Sequence, residues 1–174
     1  MKCEEFNSLP KAVQRQKVAA DAILQIKKNV YQAKMGCWIE LDLEVTPQEG
    51  EQVQDKLTPK NIKECHVCGL GALMVSAVRL KNSLKVPKYG EFEEISTCAD
   101  DDGFGTVLRK IFTNSQIELI EIAFELGDGW YKSYYSSNPL ALKAVEFGER
   151  FEKADDRLLG IMKNIIANKG TFKP

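Results

Sequence analysis

The chain has 174 residues, of which 44% are hydrophobic and 28% are charged, a composition typical of a globular rather than a disordered protein. Its 24 basic and 25 acidic residues leave a net charge of −1, so neither nucleic acid nor an anionic membrane is expected as the main partner. We expect a single globular domain over residues 1–174.

Targeting signals and cysteine content indicate the cellular compartment that is expected for the protein. No segment holds the roughly 18 consecutive apolar residues that a membrane-spanning helix needs. The first residues, MKCEEFNSLPKAV, lack the apolar core of a signal peptide. The sequence therefore predicts a cytoplasmic protein. The five cysteines, an odd number without a secretion signal, indicate free thiols or a metal site rather than a set of disulfide bonds.

The first half of the chain shows one helical and one strand pattern. Apolar residues recur at helical spacing over residues 10–29 and predict a helix. After Gly36 the apolar residues alternate with polar ones, which predicts a short half-buried strand near residues 37–44. The residues expected to face inward are Cys37, Ile39, Leu41 and Leu43. A strand needs a partner for its backbone, and the candidates are residues 85–86, residues 92–95 or the same strand of a second copy in a homo-oligomer.

A central helix is predicted over residues 66–84. Twelve residues from Val67 to Val78 carry no charge, and a helix that is apolar on nearly every face belongs in the interior. Small side chains at helical spacing would form a narrow face that lets another helix approach closely; these are Cys65, Gly69, Ala72 and Ser76. The expected fold is mainly α, with about five helices packed round this helix and one short β element near 37–44.

The second half of the chain predicts three more helices. Apolar spacing indicates a helix that begins near Phe104. Thr113 and Gln116 match a capping box, which starts a second helix that is expected to end at Gly127. Asn138 can cap, and Pro139 can open, one long final helix that reaches about residue 168.

Cys65, His66 and Cys68 are the first candidates for chemistry. A Cys-x-x-Cys pair is half of a zinc site, and Cys37 and Cys98 could complete it. Because there is no second such pair, we interpret the cysteines as buried core residues and expect no cofactor. Zinc binding and dithiol redox chemistry are the alternatives. Nucleophilic-serine, phosphate-loop and dinucleotide motifs are absent from the sequence.

Three glutamates of the predicted helix after Thr113 share one face. Glu118, Glu121 and Glu125 could in principle serve as paired catalytic or metal-binding carboxylates. A di-iron bundle would require two Glu-x-x-His pairs, and the chain has one histidine. We therefore interpret the glutamates as a solvent-exposed acidic stripe.

An aromatic segment is the feature most suggestive of binding. Four aromatic residues fall within six positions of a predicted loop at residues 127–139. Trp and Tyr offer a large contact area at low entropic cost, which suits protein recognition or the stacking of bases. The predicted binding residues are Trp130, Tyr131, Tyr134 and Tyr135, with cationic support from Lys132 and Arg79. The alternative is that these rings fold over the core as a lid.

Two fragments resemble small uncharacterised proteins of bacteriophage genomes and prophages. They are Cys65-x-x-Cys68-x-x-Gly71-Ala72-Leu73 and Phe112-x-x-x-Gln116-x-x-x-Ile120-Glu121-x-Ala123-Phe124. The resemblance implies no catalytic residues; it implies a protein that binds and inhibits a host protein or sequesters a signalling nucleotide of a defence system. We therefore expect a non-enzymatic binding protein whose partner is a host protein. A nucleotide-binding protein and a Cys/His metal or thiol protein are the alternative hypotheses.

Overall fold

A computed structural model describes residues 3–81, 83–88, 92–93, 103–125 and 138–174, with only the backbone of Cys3. Within these ranges the protein is mainly α with a small β element, as the sequence predicts. The helices are α1 (Cys3–Ser8), α2 (Lys11–Lys27), α3 (Gly69–Lys81), α4 (Phe104–Arg109), α5 (Asn114–Phe124), α6 (Pro139–Glu149) and α7 (Ala154–Ala167). The strands are β1 (Gln32–Ala33), β2 (Ile39–Leu43) and β3 (Ile62–Val67). None of the helices described is long and apolar enough to cross a membrane.

The sheet has the order β1-β3-β2, with β3 parallel to β1 and antiparallel to β2. The predicted strand near 37–44 is confirmed as β2, but residues 85–86 were wrong as its partner, and of the second candidate, residues 92–95, the described Phe92 and Glu93 do not pair with it. The partner is β3, and Lys85 forms a bridge with Gln52 instead. A bulge opposite Asp42 and Leu43 adds a residue to β3. Because a bulge breaks the alternation of side chains, β3 does not show the period of two that marks β2.

The central helix, α3, begins at Gly69 rather than near residue 66. Cys65 and His66 belong to β3, so the prediction that Cys65 lies on the small face of the helix was wrong. Cys68 precedes the helix, and its Sγ accepts a hydrogen bond from the N–H of Gly71 at 3.4 Å. All ten residues from Gly69 to Val78 are buried, in agreement with their lack of charge.

Glycines of α3 permit close approach to two different elements. A Cβ at Gly69 would lie 2.8 Å from the Cβ of Phe124 in α5. A Cβ at Gly71 would overlap the backbone carbonyl oxygen of Trp38, just before β2. Helix α3 also packs against α1, α2 and α4, whereas α6 packs mainly on α5 and α7 mainly on α2. The buried residues of these elements form one hydrophobic cluster.

The predicted long final helix is in fact two helices, α6 and α7, separated by residues 150–153. Arg157 of α7 is buried and donates to the carbonyl oxygens of Gly148 and Phe151, each at 3.1 Å. The ring of Phe151 packs against Gly160, where a Cβ would overlap it. These contacts provide hydrogen-bond donors for carbonyl groups at and just after the end of α6. They hold the chain in a turn over residues 150–153, so the helix does not continue into α7.

The cap predicted for α5 is confirmed, with one difference. The hydroxyl of Thr113 accepts from the N–H of Gln116 at 3.3 Å. The amide of Gln116 does not return to Thr113; it bonds to both the N–H and the carbonyl of Phe172. The side chain therefore ties the start of α5 to the C-terminal segment.

Candidate functional site

Two exposed apolar side chains lie on the turn of residues 34–38, which joins β1 to β2. Met35 and Trp38 each expose 39% of their surface. Between them Gly36 has a φ of +70°, a conformation that a side chain would make costly. The N–H of Lys34 donates to the carbonyl of Val67 at 2.9 Å, which fixes the start of the turn to β3. The turn therefore presents its apolar side chains from a defined backbone.

Two charged side chains hold the 34–38 turn against the helices. The carboxylate of Glu125, just after α5, accepts a hydrogen bond from the N–H of Gly36 at 2.7 Å. Arg157 donates to the carbonyl of Phe124 at 2.8 Å and contacts the Sδ of Met35 at 3.4 Å. Burial raises the pKa of Glu125, although the Gly36 N–H and the charge of Arg157 oppose that rise. The turn is thus anchored to the ends of two helices.

The acidic stripe predicted on α5 is only partly exposed. Glu118 is exposed, whereas Glu121 and Glu125 are half-buried. Burial raises the pKa of Glu121, and the negative charges of Glu125 and Glu118 add to that rise. The stability that the protonated carboxyl of Glu121 contributes is fully present below its ordinary pKa of 4.5. It is lost as the pH rises through the raised pKa, because the carboxyl then becomes charged in a half-buried position. Glu121 therefore destabilises the fold slightly at neutral pH.

Cys65 and Cys68 are buried residues of the core. Cys65 faces inward from β3 and is fully buried, and Cys68 exposes 3% of its surface. Burial raises the pKa of each thiol to about 12. The thiolate is the form that attacks electrophiles and binds metal ions, so both groups are held in their unreactive, protonated form at neutral pH.

His66, the third residue of the proposed metal motif, faces away from the thiol of Cys65. Successive residues of a strand point to opposite faces, so His66 lies on the face opposite to Cys65. Its Nε2 is 3.7 Å from the carboxylate of Glu64. In the part of the chain that the structure describes, no three His, Cys, Asp or Glu side chains are grouped to hold a metal ion. Cys98, considered as a further ligand, lies outside the described residues.

Arg79, predicted to support binding, makes contacts within the fold. Its Nε lies 3.2 Å from the carboxylate of Asp21 in α2, and its Nη1 donates to the carbonyl of Leu57. The side chain exposes 17% of its surface. The guanidinium thus links α3 to α2, and its role in ligand binding stays a prediction.

The predicted binding residues of the aromatic segment lie outside the described ranges; they are the aromatic residues Trp130, Tyr131, Tyr134 and Tyr135 and the cationic residue Lys132. The described residues on either side are Glu125 and Asn138. The side-chain oxygen of Asn138 accepts from the N–H groups of Leu140 and Ala141 at 3.1 and 3.2 Å, which confirms the predicted cap of α6. In the sequence the aromatic segment begins five residues after Glu125, the residue that holds the 34–38 turn.

A groove of about 580 Å³ lies where α6 gives way to α7. Its lining includes the apolar residues Phe147, Phe151 and Leu159, the basic residues Arg150, Lys153 and Lys163, and the acidic residues Glu152 and Asp156. The guanidinium of Arg150 lies 5.3 Å from the centre of the Phe147 ring. Aromatic surface beside a small excess of positive charge suits a planar anionic ligand.

Sequence reasoning missed Met35 and Trp38. One signal could have found Trp38. Trp38 lies two and four positions before Glu40 and Asp42, so the alternation of β2 places its side chain on the same solvent-exposed face. A large aromatic residue on that face contributes nothing to the core. Met35 carries no such signal, since its exposure depends on how the turn packs against Arg157.

Comparison with known proteins places the chain in no family. It matches no protein-family model, no curated protein and no solved structure. Its function is therefore inferred from its own residues and contacts.

We expect Cys65 and Cys68 to resist alkylation in the native protein. Burial excludes the reagent and raises the pKa of each thiol from 9.0 to about 12, so little thiolate is present. At mildly alkaline pH, iodoacetamide should label both at least about 100-fold more slowly than in urea-unfolded protein, as measured by peptide mass spectrometry. Equal rates in the two states would contradict the structure and restore the thiol hypothesis.

Proposed function

We propose that this protein is a non-enzymatic, phage-encoded binding protein that acts on a host protein through the 34–38 turn. The observation that supports the proposal is the exposure of Met35 and Trp38 on a turn held by Glu125 and β3. Trp dominates the energetic centres of protein interfaces, and Met is enriched in them. A turn that is already ordered loses little entropy on binding.

The sequence adds two supports for this proposal. The aromatic segment that begins at Trp130 follows Glu125 by five residues in the sequence and adds a second group of side chains of the types that form interfaces. The resemblance to small bacteriophage proteins supports a phage origin and a target in the host cell.

The chemistry of the described residues also favours binding over catalysis. The thiols of Cys65 and Cys68 are buried and protonated. The charged groups of Glu125 and Arg157 are occupied by backbone N–H and carbonyl groups. These side chains stabilise the fold and the turn, which supports a structural role for them and a binding role for the surface that they hold.

Replacing Trp38 with alanine tests the proposal. Proteins captured from bacterial host lysate by the wild-type protein would be identified by mass spectrometry, and the affinity of each purified candidate would then be measured. We expect Trp38→Ala to weaken the affinity by at least about 30-fold, the effect of removing a central interface residue.

Leu24→Ala provides the matched control, because Leu24 is also a large apolar residue that exposes 47% of its surface, but it belongs to α2 and not to the turn. We expect it to leave the affinity unchanged. If Trp38→Ala and Leu24→Ala bind the candidates as tightly as the wild type, the turn is not the binding surface.

The groove between α6 and α7 supports nucleotide binding as a second candidate function. The half-buried ring of Phe151 could stack on a base while Lys153 and Lys163 meet a phosphate. Native mass spectrometry of protein purified from cells separates the two proposals. A bound nucleotide would favour the groove, and a protein partner lost with Trp38→Ala would favour the turn.

A further inference from the structure

The outer edge of β2 carries backbone groups that point away from the sheet. The N–H of Cys68 donates to the carbonyl of Trp38 at 3.2 Å, so the backbone groups of Trp38 point toward β3. Backbone groups alternate in direction along an antiparallel strand. Glu40 and Asp42 therefore also bond to β3, in register with His66 and Glu64.

The intervening residues Ile39, Leu41 and Leu43 direct their N–H and carbonyl groups to the other side. The alternation continues past the bulge, because the N–H of Glu44 donates to the carbonyl of Asn61 at 2.8 Å. Within the described ranges, no residue bonds to these outward groups and no strand lies beyond β2. This edge is therefore able to accept a further strand.

The two edges of the sheet differ. At the outer edge of β1, the N–H of Ala33 donates to the carboxylate of Asp155 at the start of α7, at 3.0 Å. A side chain of the protein therefore covers that edge. The edge of β2 has instead an exposed Trp38 at its beginning and, just past its end, Val45, which exposes 53% of its surface.

The solvent-exposed face of β2, next to its outer edge, carries acidic side chains. Its exposed side chains include Glu40, Asp42 and Glu44. Lys34 pairs with Glu40 at 2.7 Å, and Lys63 pairs with Glu44 at 3.2 Å. Asp42, at the middle of the row, forms no ion pair within 4.0 Å among the described residues, and its charge interacts only at longer range with Lys63, whose pKa it helps to raise. The face thus favours a neighbour that carries positive charge.

We propose that an extended, basic segment of the partner adds to the outer edge of β2 as a further strand. The inference rests on the proposed function, since it names how the partner is recognised beside the 34–38 turn. Backbone hydrogen bonds to Ile39, Leu41 and Leu43 supply affinity, and lysine or arginine at alternate positions meets the acidic face. The side chain of the added strand that lies beside Trp38 on this same face packs on the indole ring, as the stem and ammonium group of a lysine can.

A second copy of the chain fits this edge poorly. If two β2 strands paired antiparallel about Leu41, Glu40 of each copy would lie opposite Asp42 of the other. Like charges directly opposite each other destabilise a pair of strands. The same carboxylates that attract a basic segment therefore oppose self-association.

Amide hydrogen exchange with a defined peptide tests the proposal. The probe is a capped heptapeptide of alternating lysine and valine, added to the full-length protein and followed by NMR. In the free protein, the amides of Ile39, Leu41 and Leu43 should exchange at least about tenfold faster than those of Glu40 and Asp42. The peptide should slow the three fast amides by at least about tenfold.

Two controls separate charge from backbone pairing. A peptide with glutamate in place of lysine should give no protection, and a lysine peptide with proline at its centre should bind weakly because it lacks a ladder donor. Asp42→Lys should weaken binding of the lysine peptide by about tenfold or more. Glu146→Lys, an equal change of charge at an exposed position of α6, should not.

Three results would overturn the proposal: protection of Ile39, Leu41 and Leu43 in the free protein, protection by the peptide elsewhere, or unchanged binding by Asp42→Lys. The captured host protein could bind in a way that depends on Trp38 and yet not slow the exchange of these three amides. That result would reject edge pairing and retain the proposed function. Loss of the Trp38 dependence would reject the proposed function itself.

Discussion

Replacing Arg157 with methionine is expected to lower the free energy of unfolding by about 3–4 kcal/mol. The guanidinium donates to the carbonyl oxygens of Phe124, Gly148 and Phe151 at 2.8–3.1 Å from a buried position. A methionine fills most of the space but supplies no donor, so the carbonyls of Phe124 and Phe151 lose the guanidinium and that of Gly148 keeps the N–H of Phe151, at 3.2 Å. The loss should be visible as a lower midpoint in urea unfolding followed by circular dichroism.

Arg150→Met is the matched control for this change. Arg150 is exposed, and its contact with the ring of Phe147 at 5.3 Å should contribute less than about 1 kcal/mol. Arg157→Lys should recover little stability, because an ammonium group cannot reproduce the planar fork that reaches several carbonyls. Equal stability of Arg157→Met and Arg150→Met would mean that Arg157 does not hold the α6–α7 turn.

Gly71→Ala is expected to destabilise the protein by about 2–3 kcal/mol. In an open helix the same change would stabilise by about 1 kcal/mol. Here the new Cβ would overlap the carbonyl oxygen of Trp38, which already accepts a hydrogen bond from Cys68. A backbone atom held in a ladder cannot rotate away, so α3 and β2 must separate. Thermal unfolding would measure the loss.

Gly36→Ala separates crowding from backbone conformation. No atom lies within 4 Å of a Cβ at Gly36, but its φ is +70°, so the substitution should cost about 1 kcal/mol through the backbone alone. Because Gly36 belongs to the 34–38 turn, this variant should also weaken partner binding. A Gly71→Ala protein at least as stable as the wild type would show that β2 and α3 are not in close contact.

Elements with local signals were predicted well. The strand β2 shows its alternation within five residues, and α2 shows its apolar spacing over seventeen. The caps of α5 and α6 depend on Thr113 and Asn138, whose side chains reach N–H groups two or three residues away. In each of these cases the groups that interact are close in sequence, so the pattern of residues is sufficient.

Elements that depend on contacts between residues far apart in the sequence were not predicted correctly. Strand β3 takes its shape from pairing with β2 and from the bulge opposite Asp42, and the bulge conceals its pattern. The break between α6 and α7 is held by Arg157, which bonds to Gly148 and Phe151 and also to Phe124, 33 positions earlier. The periodicity of the final segment alone predicted an unbroken helix because it contains no information about that contact.

The candidate site divides in the same way. From the sequence alone come the helical class of the fold, the lack of charge in α3 and the aromatic segment around Trp130, since composition and spacing determine them. The 34–38 turn was decided only by the tertiary structure: the hydrogen bond between Gly36 and Glu125 joins residues 89 positions apart. The exposure of Met35 depends on how that turn packs, because a side chain is exposed or buried according to what the rest of the chain places over it, whereas the alternation of β2 already assigns Trp38 to the solvent face.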